Sequence, residues 1–206
     1  MQNREHDMST NDDVVFTMAD ENDIQDTVAL FSAAAQALSA SGIDQWDELY
    51  PDETVLRDDI RKQELTVGKK DGKIAVAFAI NTDADAQYAN GRWKHPDSRY
   101  CILHRLCVHP DHQNQGLARK TIGYIEERCG ERGFDSIRLD SFTQNPRAER
   151  MYERSGYTVV GQAVWRKGVF NLREKKLQER FCPFGETCQQ IRLRSASRGL
   201  RTSTYR

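Results

Sequence analysis

Residues 113–118, with the sequence Gln-Asn-Gln-Gly-Leu-Ala, have the composition of a loop that binds phosphate. The small residues Gly116 and Ala118 allow an anion to approach the backbone closely, and an amphipathic helix is predicted to begin here. The first amides of a helix have no partner inside it, and the helix dipole favours negative charge at that end. The lysine and hydroxyl of a Walker loop and the three glycines of a dinucleotide fingerprint are both missing. The predicted chemistry is therefore phosphate binding by backbone amides, with no metal required.

Two secondary-structure elements must hold this loop in place. Before it, the apolar run at 101–108 predicts a β-strand that ends at His109-Pro110. After it, apolar residues recur at positions 118, 122, 125 and 129, which predicts a helix with one buried stripe. Side chains alternate along a strand, so positions 102, 104, 106 and 108 are predicted to share one face and positions 103, 105 and 107 the other.

A second motif lies further along the chain. It consists of Asn145-Pro146-Arg147-Ala148, then Met151-Tyr152, then Ser155-Gly156-Tyr157. This motif is similar to the pattern Asn-x-x-Ala-x-x-x-Tyr-x-x-x-Gly-Phe/Tyr of the GNAT acetyltransferases, and 113–118 resembles the acyl-CoA pyrophosphate loop of that family, Gln/Arg-x-x-Gly-x-Gly/Ala. In element order the resemblance covers residues 14–177. It implies one mixed α/β domain, with helices on both faces of a mostly antiparallel, splayed sheet.

The resemblance also implies that acetyl-CoA is the cosubstrate and that backbone groups hold it. In the family, the end of the central strand hydrogen-bonds the pantetheine arm, and the loop holds the pyrophosphate. The residues assigned to cofactor binding are Leu106, Cys107, Val108, Gln113, Asn114, Gln115, Gly116, Leu117, Ala118 and Asn145. Arg119 or Lys120 would add charge near the phosphates, or both are solvated helix residues.

Tyr152 matches the tyrosine that the family places near the CoA sulfur. The resemblance therefore implies that Tyr152 is the general acid that protonates the leaving thiolate. The alternative is packing, because Ala148, Met151, Tyr152 and Ser155 would form one buried helix face. Asn145 has a similar alternative, since it can cap its own helix without binding any ligand.

The general base is less well marked. Histone-type members of the family carry a glutamate on the central strand, where this chain has Ile102, and this departure weakens the assignment of a histone lysine as acceptor. His104 is the nearest titratable residue on the same predicted face, and imidazole, with a pKa of about 6.5, suits a general base. Arylalkylamine-type members likewise carry histidine on this strand. Two alternatives stay open: His104 and Arg105 form a polar pair against Asp140, or a water chain carries the proton.

The rest of the chain has the pattern of one domain. Strands are predicted at 14–18, 65–69, 73–81, 136–142, 157–164 and 169–174, and further helices from Ile24 to before Ser41, at 54–62 and after Asn145. Asp71-Gly72 predicts a tight hairpin. The loop at 42–51, with Trp46 and Tyr50, is predicted either to pack or to border the acceptor site, and the loop at 82–99 is long enough to approach it.

Composition limits the functional classes. The chain has 206 residues, of which 38% are hydrophobic, which is enough for one domain at 14–177 with disordered segments at 1–13 and 178–206. The net charge of −1 provides no broad positive field, so nucleic-acid binding is not expected, although the 178–206 tail is basic. The sequence has no apolar leader and no run of membrane length, which predicts a cytoplasmic protein without membrane contact.

The sequence predicts an enzyme that uses no metal. Cys101, Cys107 and Cys129 lie in apolar contexts and are predicted to be reduced packing residues, and Cys182 and Cys188 lack the histidines that would complete a zinc site. The predicted reaction transfers an acetyl group from acetyl-CoA to an amine on a small molecule or peptide. Direct attack in a ternary complex is expected because no residue presents itself as a covalent nucleophile. A homodimer is compatible with this function, and the alternative is a non-catalytic acyl-CoA-binding regulatory module.

Overall fold

The structure is a computed structural model that describes residues 14–47 and 49–178. The predicted disordered segments, apart from Gln178, lie outside the described residues, as do Cys182 and Cys188. Within the described residues the chain forms seven strands and four α-helices. They are β1 (Val15–Met18), α1 (Ile24–Ala40), α2 (Glu53–Arg61), β2 (Leu65–Lys70), β3 (Lys73–Asn81), β4 (Tyr100–Val108), α3 (Leu117–Glu131), β5 (Ser136–Phe142), α4 (Pro146–Arg154), β6 (Thr158–Trp165) and β7 (Gly168–Lys176).

The strands form one open sheet in the order β1-β2-β3-β4-β5-β7-β6. Neighbouring strands are antiparallel except for β4 and β5, which run parallel. Helices α1 and α2 cover one face, where Leu30 and Leu56 are buried. Helices α3 and α4 cover the other face, around Ile125 and Tyr152. The structure thus has the predicted architecture, a mostly antiparallel sheet with helices on both faces.

Short polar sequences account for the ends of these elements. Asp20 and Asp23 form a capping box before α1, in which each carboxylate accepts a backbone N–H. The side chain of Asn145 accepts the N–H of Ala148 at 3.1 Å and caps α4, as predicted. Both residues of the predicted β2–β3 turn, Asp71 and Gly72, have positive φ angles, +50° and +76°, as a tight hairpin requires.

A β-bulge interrupts β4 at Arg105. Across on β3, Ala77 pairs with Cys107 and Ala79 pairs with His104. Two residues of β4 therefore lie opposite the single residue between those two alanines. Arg105 has a φ of +54°, in the left-handed region. This is the geometry of a bulge, which inserts one residue and bends its strand.

The bulge shows that the predicted alternation of faces along β4 is wrong beyond His104. Leu103 and Leu106 both pack in the core beneath α3, whereas Cys107 packs beneath α1. Strict alternation would have put Leu103 and Cys107 on the same face. The inserted residue shifts the alternation by one position. Every later side chain of β4 therefore lies on the face opposite to the predicted one.

Strands β4 and β5 pair only over their first residues. Leu103 and Leu139 are the last matched residues, and both strands continue beyond them without pairing, to Val108 and Phe142. The two strands therefore diverge, which is the predicted splay of the sheet. The opening between them is where the candidate site lies.

Candidate active site

The opening between β4 and β5 continues into a cleft of about 1440 Å³. The cleft is lined by the loop before α3, by α4, by the α1–α2 connection and by the β6–β7 turn. Most residues predicted for the site line it together, and these are His104, Leu106, Cys107, Val108, Gln113, Asn114, Gly116, Leu117, Ala118, Asn145 and Tyr152. Gln115 does not line the cleft, because its exposed side chain donates a hydrogen bond of 2.9 Å to the carbonyl oxygen of Asp111.

The loop before α3 presents backbone amides to this cleft. Gly116 has a φ of +80°, and α3 begins directly after it. The first helical hydrogen bond runs from the N–H of Lys120 to the carbonyl oxygen of Gly116, at 3.0 Å. The amides of residues 117–119 therefore have no partner inside the helix. A Cβ built on Gly116 would meet no atom within 4 Å, so the approach to these amides is open. Such an end suits an anion.

Gln113 joins this loop to the strand before it and to α4. Its Nε2 donates to the carbonyl oxygen of Val108 at 3.1 Å, and its Oε1 accepts a hydrogen bond from the guanidinium of Arg147. Arg147 was not assigned a role from the sequence, although it lies inside the second motif. The structure puts its positive charge beside the predicted phosphate loop, where an anion would benefit from it.

Cys107 contributes its backbone groups to the site and not a reactive thiol. Its side chain is 2% exposed, and its thiol lies 4.0 Å from the carbonyl oxygen of Leu30. Burial raises the pKa of this thiol, so the sulfur stays protonated and is a poor nucleophile. Cys101 and Cys129 are also buried free thiols. The prediction that these three cysteines pack in the core is confirmed.

Tyr152 lies at the inner wall of the cleft and also belongs to the core. It is 7% exposed, and its ring packs edge-on against that of Tyr157 with centroids 5.8 Å apart. Burial raises the pKa of the Tyr152 hydroxyl, and the nearby carboxylate of Asp140 raises it further. The hydroxyl therefore keeps its proton at neutral pH, which a general acid requires. Packing and acid catalysis are compatible at this position.

The hydrogen bonds around His104 determine its tautomer. Asn81 donates from Nδ2 to Glu64 at 2.9 Å, and its Oδ1 accepts the N–H of Asp83 at 3.1 Å. Oδ1 is therefore the acceptor that faces Nε2 of His104, 2.9 Å away. Nε2 must carry the proton, which leaves Nδ1 as the free basic nitrogen.

The imidazole of His104 is also held in its neutral form. Burial lowers the pKa of His104 to about 4, and the charge of Arg105 acts in the same direction. A neutral imidazole accepts a proton, although one with this pKa is a weak base. The side chain is thus ready to accept a proton across the whole neutral range.

Arg105 does not pair with Asp140, so the predicted polar pair of His104 and Arg105 against Asp140 is wrong. The guanidinium instead makes two hydrogen bonds to the carboxylate of Asp59 in α2, at 2.7 and 2.9 Å. It donates a third hydrogen bond to the hydroxyl of Tyr50, at 2.9 Å. The bulge accounts for the difference, because the left-handed backbone at Arg105 directs its side chain toward α2.

Hydrogen bonds and ion pairs join the α1–α2 connection to the start of α4 and to the β6–β7 turn. Oε1 of Gln45 accepts a hydrogen bond of 2.8 Å from Nδ2 of Asn145. The carboxylate of Asp47 accepts two hydrogen bonds of 2.8 Å from Arg166 and lies 2.7 Å from Nζ of Lys167. Both polar ends of Asn145 are thus used within the protein, which favours a structural role for its side chain.

The two aromatic residues of this connection also line the cleft. Trp46 packs edge-on against Phe31 of α1, with ring centroids 5.4 Å apart. Tyr50 is held by Arg105. Both residues therefore pack within the protein and line the cleft, and their contact with the acceptor stays a prediction.

Asp140 is a cleft residue that the sequence analysis did not assign to the site. It lies on β5 and accepts a hydrogen bond of 2.8 Å from the hydroxyl of Tyr88. Burial raises the pKa of its carboxyl group. Its position in the alternation of β5 was visible in the sequence, but its neighbour Tyr88 comes from the 82–99 loop, which had no motif to place it.

The part of the chain that the structure describes contains neither a metal-binding cluster nor a membrane-spanning helix. Its histidine, cysteine and carboxylate side chains form no group of three or more that could hold a metal ion. None of its helices is long and apolar enough to cross a membrane.

An open helix start, diverging parallel strands and a buried tyrosine thus meet in one cleft of a mixed α/β domain, which is the arrangement expected of an acetyltransferase fold. Comparison with known families agrees. Residues 31–157 match the model of the acetyltransferase (GNAT) family. The chain therefore belongs to that family.

Two characterised relatives act on amino acids. The chain is 24% identical over 178 residues to the S-alkylcysteine N-acetyltransferase of Bacillus subtilis, covering 83% of this chain and 94% of the relative. It is 32% identical over 73 residues to the L-methionine sulfoximine/L-methionine sulfone acetyltransferase of Salmonella typhimurium, covering 35% of this chain and 43% of the relative.

Solved structures show the same fold. A GNAT-family acetyltransferase from Streptococcus agalactiae has a TM-score of 0.72 and 24% identity, and the match covers 81% of this chain and 96% of that one. The yncA protein of Salmonella typhimurium, solved with its cofactor acetyl-CoA, has a TM-score of 0.60 and 16% identity, with 83% and 98% covered.

Proposed function

We propose that this protein is an N-acetyltransferase that transfers the acetyl group of acetyl-CoA to the α-amine of a small amino acid, by direct attack in a ternary complex. The main support for the proposal is that one cleft is lined by a phosphate-binding loop, a diverging strand end, Tyr152 and His104. The catalytic domain is proposed to occupy residues 14–177. The cytoplasmic location and the homodimer stay predictions from the sequence.

Acetyl-CoA, when bound, supplies the thioester whose acetyl group is transferred. The free amides at the start of α3, with the charge of Arg147 nearby, suit its pyrophosphate. The unpaired backbone edge of β4 beyond Leu103 suits the amides of its pantetheine arm. These groups are fixed by helix and strand geometry, so little reorganisation is needed on binding.

The acceptor must lose a proton before it can attack. At pH 7 a lysine-like amine, with a pKa of about 10.4, requires about 4.6 kcal/mol for this, and the less basic α-amine of an amino acid requires less. Nδ1 of His104 is the proposed proton acceptor, directly or through water, and its low pKa makes it a weak base. A weak base is better matched to the α-amine, which supports an amino-acid acceptor.

The leaving thiolate must gain a proton. A thiol of pKa about 8.5 lies about 1.5 units above neutrality, so protonation in the transition state is worth up to about 2 kcal/mol. The Tyr152 hydroxyl is the proposed donor, because it stays protonated in its buried position. Cys107 is buried and protonated, which supports direct transfer rather than a covalent acetyl-enzyme.

The acceptor class is supported by the relatives and by the lining of the cleft. Both relatives named above are described as acting on amino acids with sulfur-containing side chains. The cleft is lined by Trp165 and Phe170, whose ring centroids lie 5.2 Å apart, and by Trp46. Aromatic rings of this kind suit an apolar or thioether side chain.

Thiol release from acetyl-CoA, measured with a panel of amines, tests this function. The panel contains S-methyl-L-cysteine, L-methionine sulfone, L-leucine and a lysine-containing peptide with a blocked N-terminus. We expect faster thiol release with the amino acids and an Nα-acetylated product by mass spectrometry. The proposed acceptor class would be contradicted if the protein binds acetyl-CoA but releases thiol with no amine of the panel. A preference for the lysine peptide would also contradict it.

A further inference from the structure

We propose that Asp140 is the acceptor-binding carboxylate of this cleft, which pairs with the ammonium group of the incoming substrate before that group is deprotonated. This inference rests on the proposed function and names a residue that selects acceptors by charge. Its basis is the position of Asp140 at the point where β4 and β5 separate.

The strand register puts Asp140 at the apex of the opening. Leu103 and Leu139 are the last residues that β4 and β5 match, so His104 and Asp140 are the first residues of each strand beyond the paired region. Both side chains line the cleft, as does Tyr152. An amine bound at Asp140 would therefore lie in the same cleft as the proposed base and the proposed acid.

A hydrogen bond from Tyr88 orients the carboxylate of Asp140. The hydroxyl of Tyr88 donates to Oδ1 at 2.8 Å. Tyr88 itself is 4% exposed, stacks on Trp93 with centroids 5.7 Å apart, and has its carbonyl oxygen bound by the indole N–H of Trp93 at 3.0 Å. Tyr88 is thus a rigid support that fixes one oxygen of the carboxylate.

Asp140 lacks a cationic partner of its own within residues 14–47 and 49–178. The charge of Arg105 acts to lower the pKa of Asp140, but its guanidinium is engaged by Asp59 and Tyr50. Burial makes the anionic form of Asp140 costly, which is why its pKa is raised. A cationic ligand would supply the missing counter-charge, so an ammonium group gains more here than at an exposed carboxylate.

The neighbouring surface indicates what the ammonium carries. Trp165 packs edge-on against Tyr88, with centroids 6.3 Å apart, and lines the same cleft. The carboxylate and an aromatic wall are therefore joined through Tyr88. This arrangement fits an ammonium compound with an apolar side chain.

The test compares two probes that differ only in the ammonium group, S-methyl-L-cysteine and 3-(methylthio)propanoate. Their binding to the full-length protein with CoA present is measured by calorimetry for the wild type, Asp140→Asn and Asp85→Asn. The asparagine at 140 keeps an oxygen for Tyr88, removes the charge and replaces the other carboxylate oxygen by an NH2 group. Asp85 is the matched control, since it is an exposed carboxylate on the rim of the same cleft.

We expect the wild type to prefer the ammonium probe by about tenfold or more, the gain of a partly buried ion pair. Asp140→Asn should abolish that preference and leave the affinity for acetyl-CoA and for 3-(methylthio)propanoate within about twofold, while Asp85→Asn keeps the preference. Wild-type protein without a preference, or an unchanged preference in Asp140→Asn, would overturn the inference. Failure of the proposed function is distinguishable, because the wild type would then acetylate no amine in the panel whatever its preference between the probes.

Discussion

Nε2 of His104 lies 2.9 Å from Oδ1 of Asn81, and this contact orients an imidazole that burial keeps neutral. Asn81 is itself fixed by Glu64 and by the backbone of Asp83. Neutrality has a thermodynamic consequence, because the unfolded chain binds a proton at His104 more readily than the folded protein does.

The pKa of His104 predicts a loss of stability in acid. It falls from about 6.5 in the unfolded chain to about 4 in the folded protein. The contribution of His104 to stability is therefore complete above pH 6.5 and lost as the pH falls toward 4, by at most about 3 kcal/mol. Urea denaturation at pH 7.5 and 4.5 should show a smaller loss in His104→Gln, whose amide keeps a donor for Asn81. Equal losses in the two proteins would contradict the assigned protonation state.

Tyr152→Phe removes the proposed acid and keeps the ring. We expect kcat to fall by up to about 30-fold, the value of about 1.5 pK units, with little change in acetyl-CoA affinity. Steady-state kinetics with the best amino acid of the panel would measure this. Tyr157→Phe is the matched control, because it removes a hydroxyl from the ring that packs against Tyr152. The acid role is refuted if the two variants have the same kcat as the wild type.

The Arg105–Asp59 pair predicts a large effect on stability. Both side chains are largely buried, 10% and 6% exposed, and Asp59 is the only carboxylate that Arg105 contacts in the described part of the chain. Asp59→Asn leaves the arginine charge unbalanced and should lower the free energy of unfolding by about 3–5 kcal/mol. Asp58→Asn, at a partly exposed carboxylate of the same helix, should leave the denaturation midpoint nearly unchanged. A similar denaturation midpoint for both variants would show that the Arg105–Asp59 pair does not stabilise the contact between the bulge and α2.

The sequence predicted elements that depend on local signals. The Asp71-Gly72 hairpin, the Asn145 cap and the order of strands and helices along the chain all follow from neighbouring residues, and the structure confirms them. The positions of the phosphate loop and Tyr152 in one cleft followed from two motifs, because the family resemblance carried the long-range arrangement.

The parts that sequence reasoning missed depend on distant contacts. No residue near Arg105 in the sequence indicates a bulge, because its partner Asp59 lies in α2, far away along the chain. Arg138 alternates with apolar residues in β5, a pattern typical of a sheet with one solvated face. It is 5% exposed, paired with Glu174 and covered by the rings of Trp93 and Tyr100.

Calorimetric titration with acetyl-CoA of wild type, Gly116→Ala and Gly116→Trp tests the central claim, that the cofactor binds at the start of α3. Alanine adds only left-handed strain of about 1–2 kcal/mol, since a Cβ at 116 meets no atom within 4 Å. Binding should therefore survive in Gly116→Ala, weakened at most modestly. The indole of Gly116→Trp fills the approach to the amides, and binding should be lost. Wild-type affinity in Gly116→Trp would contradict the assignment of the loop.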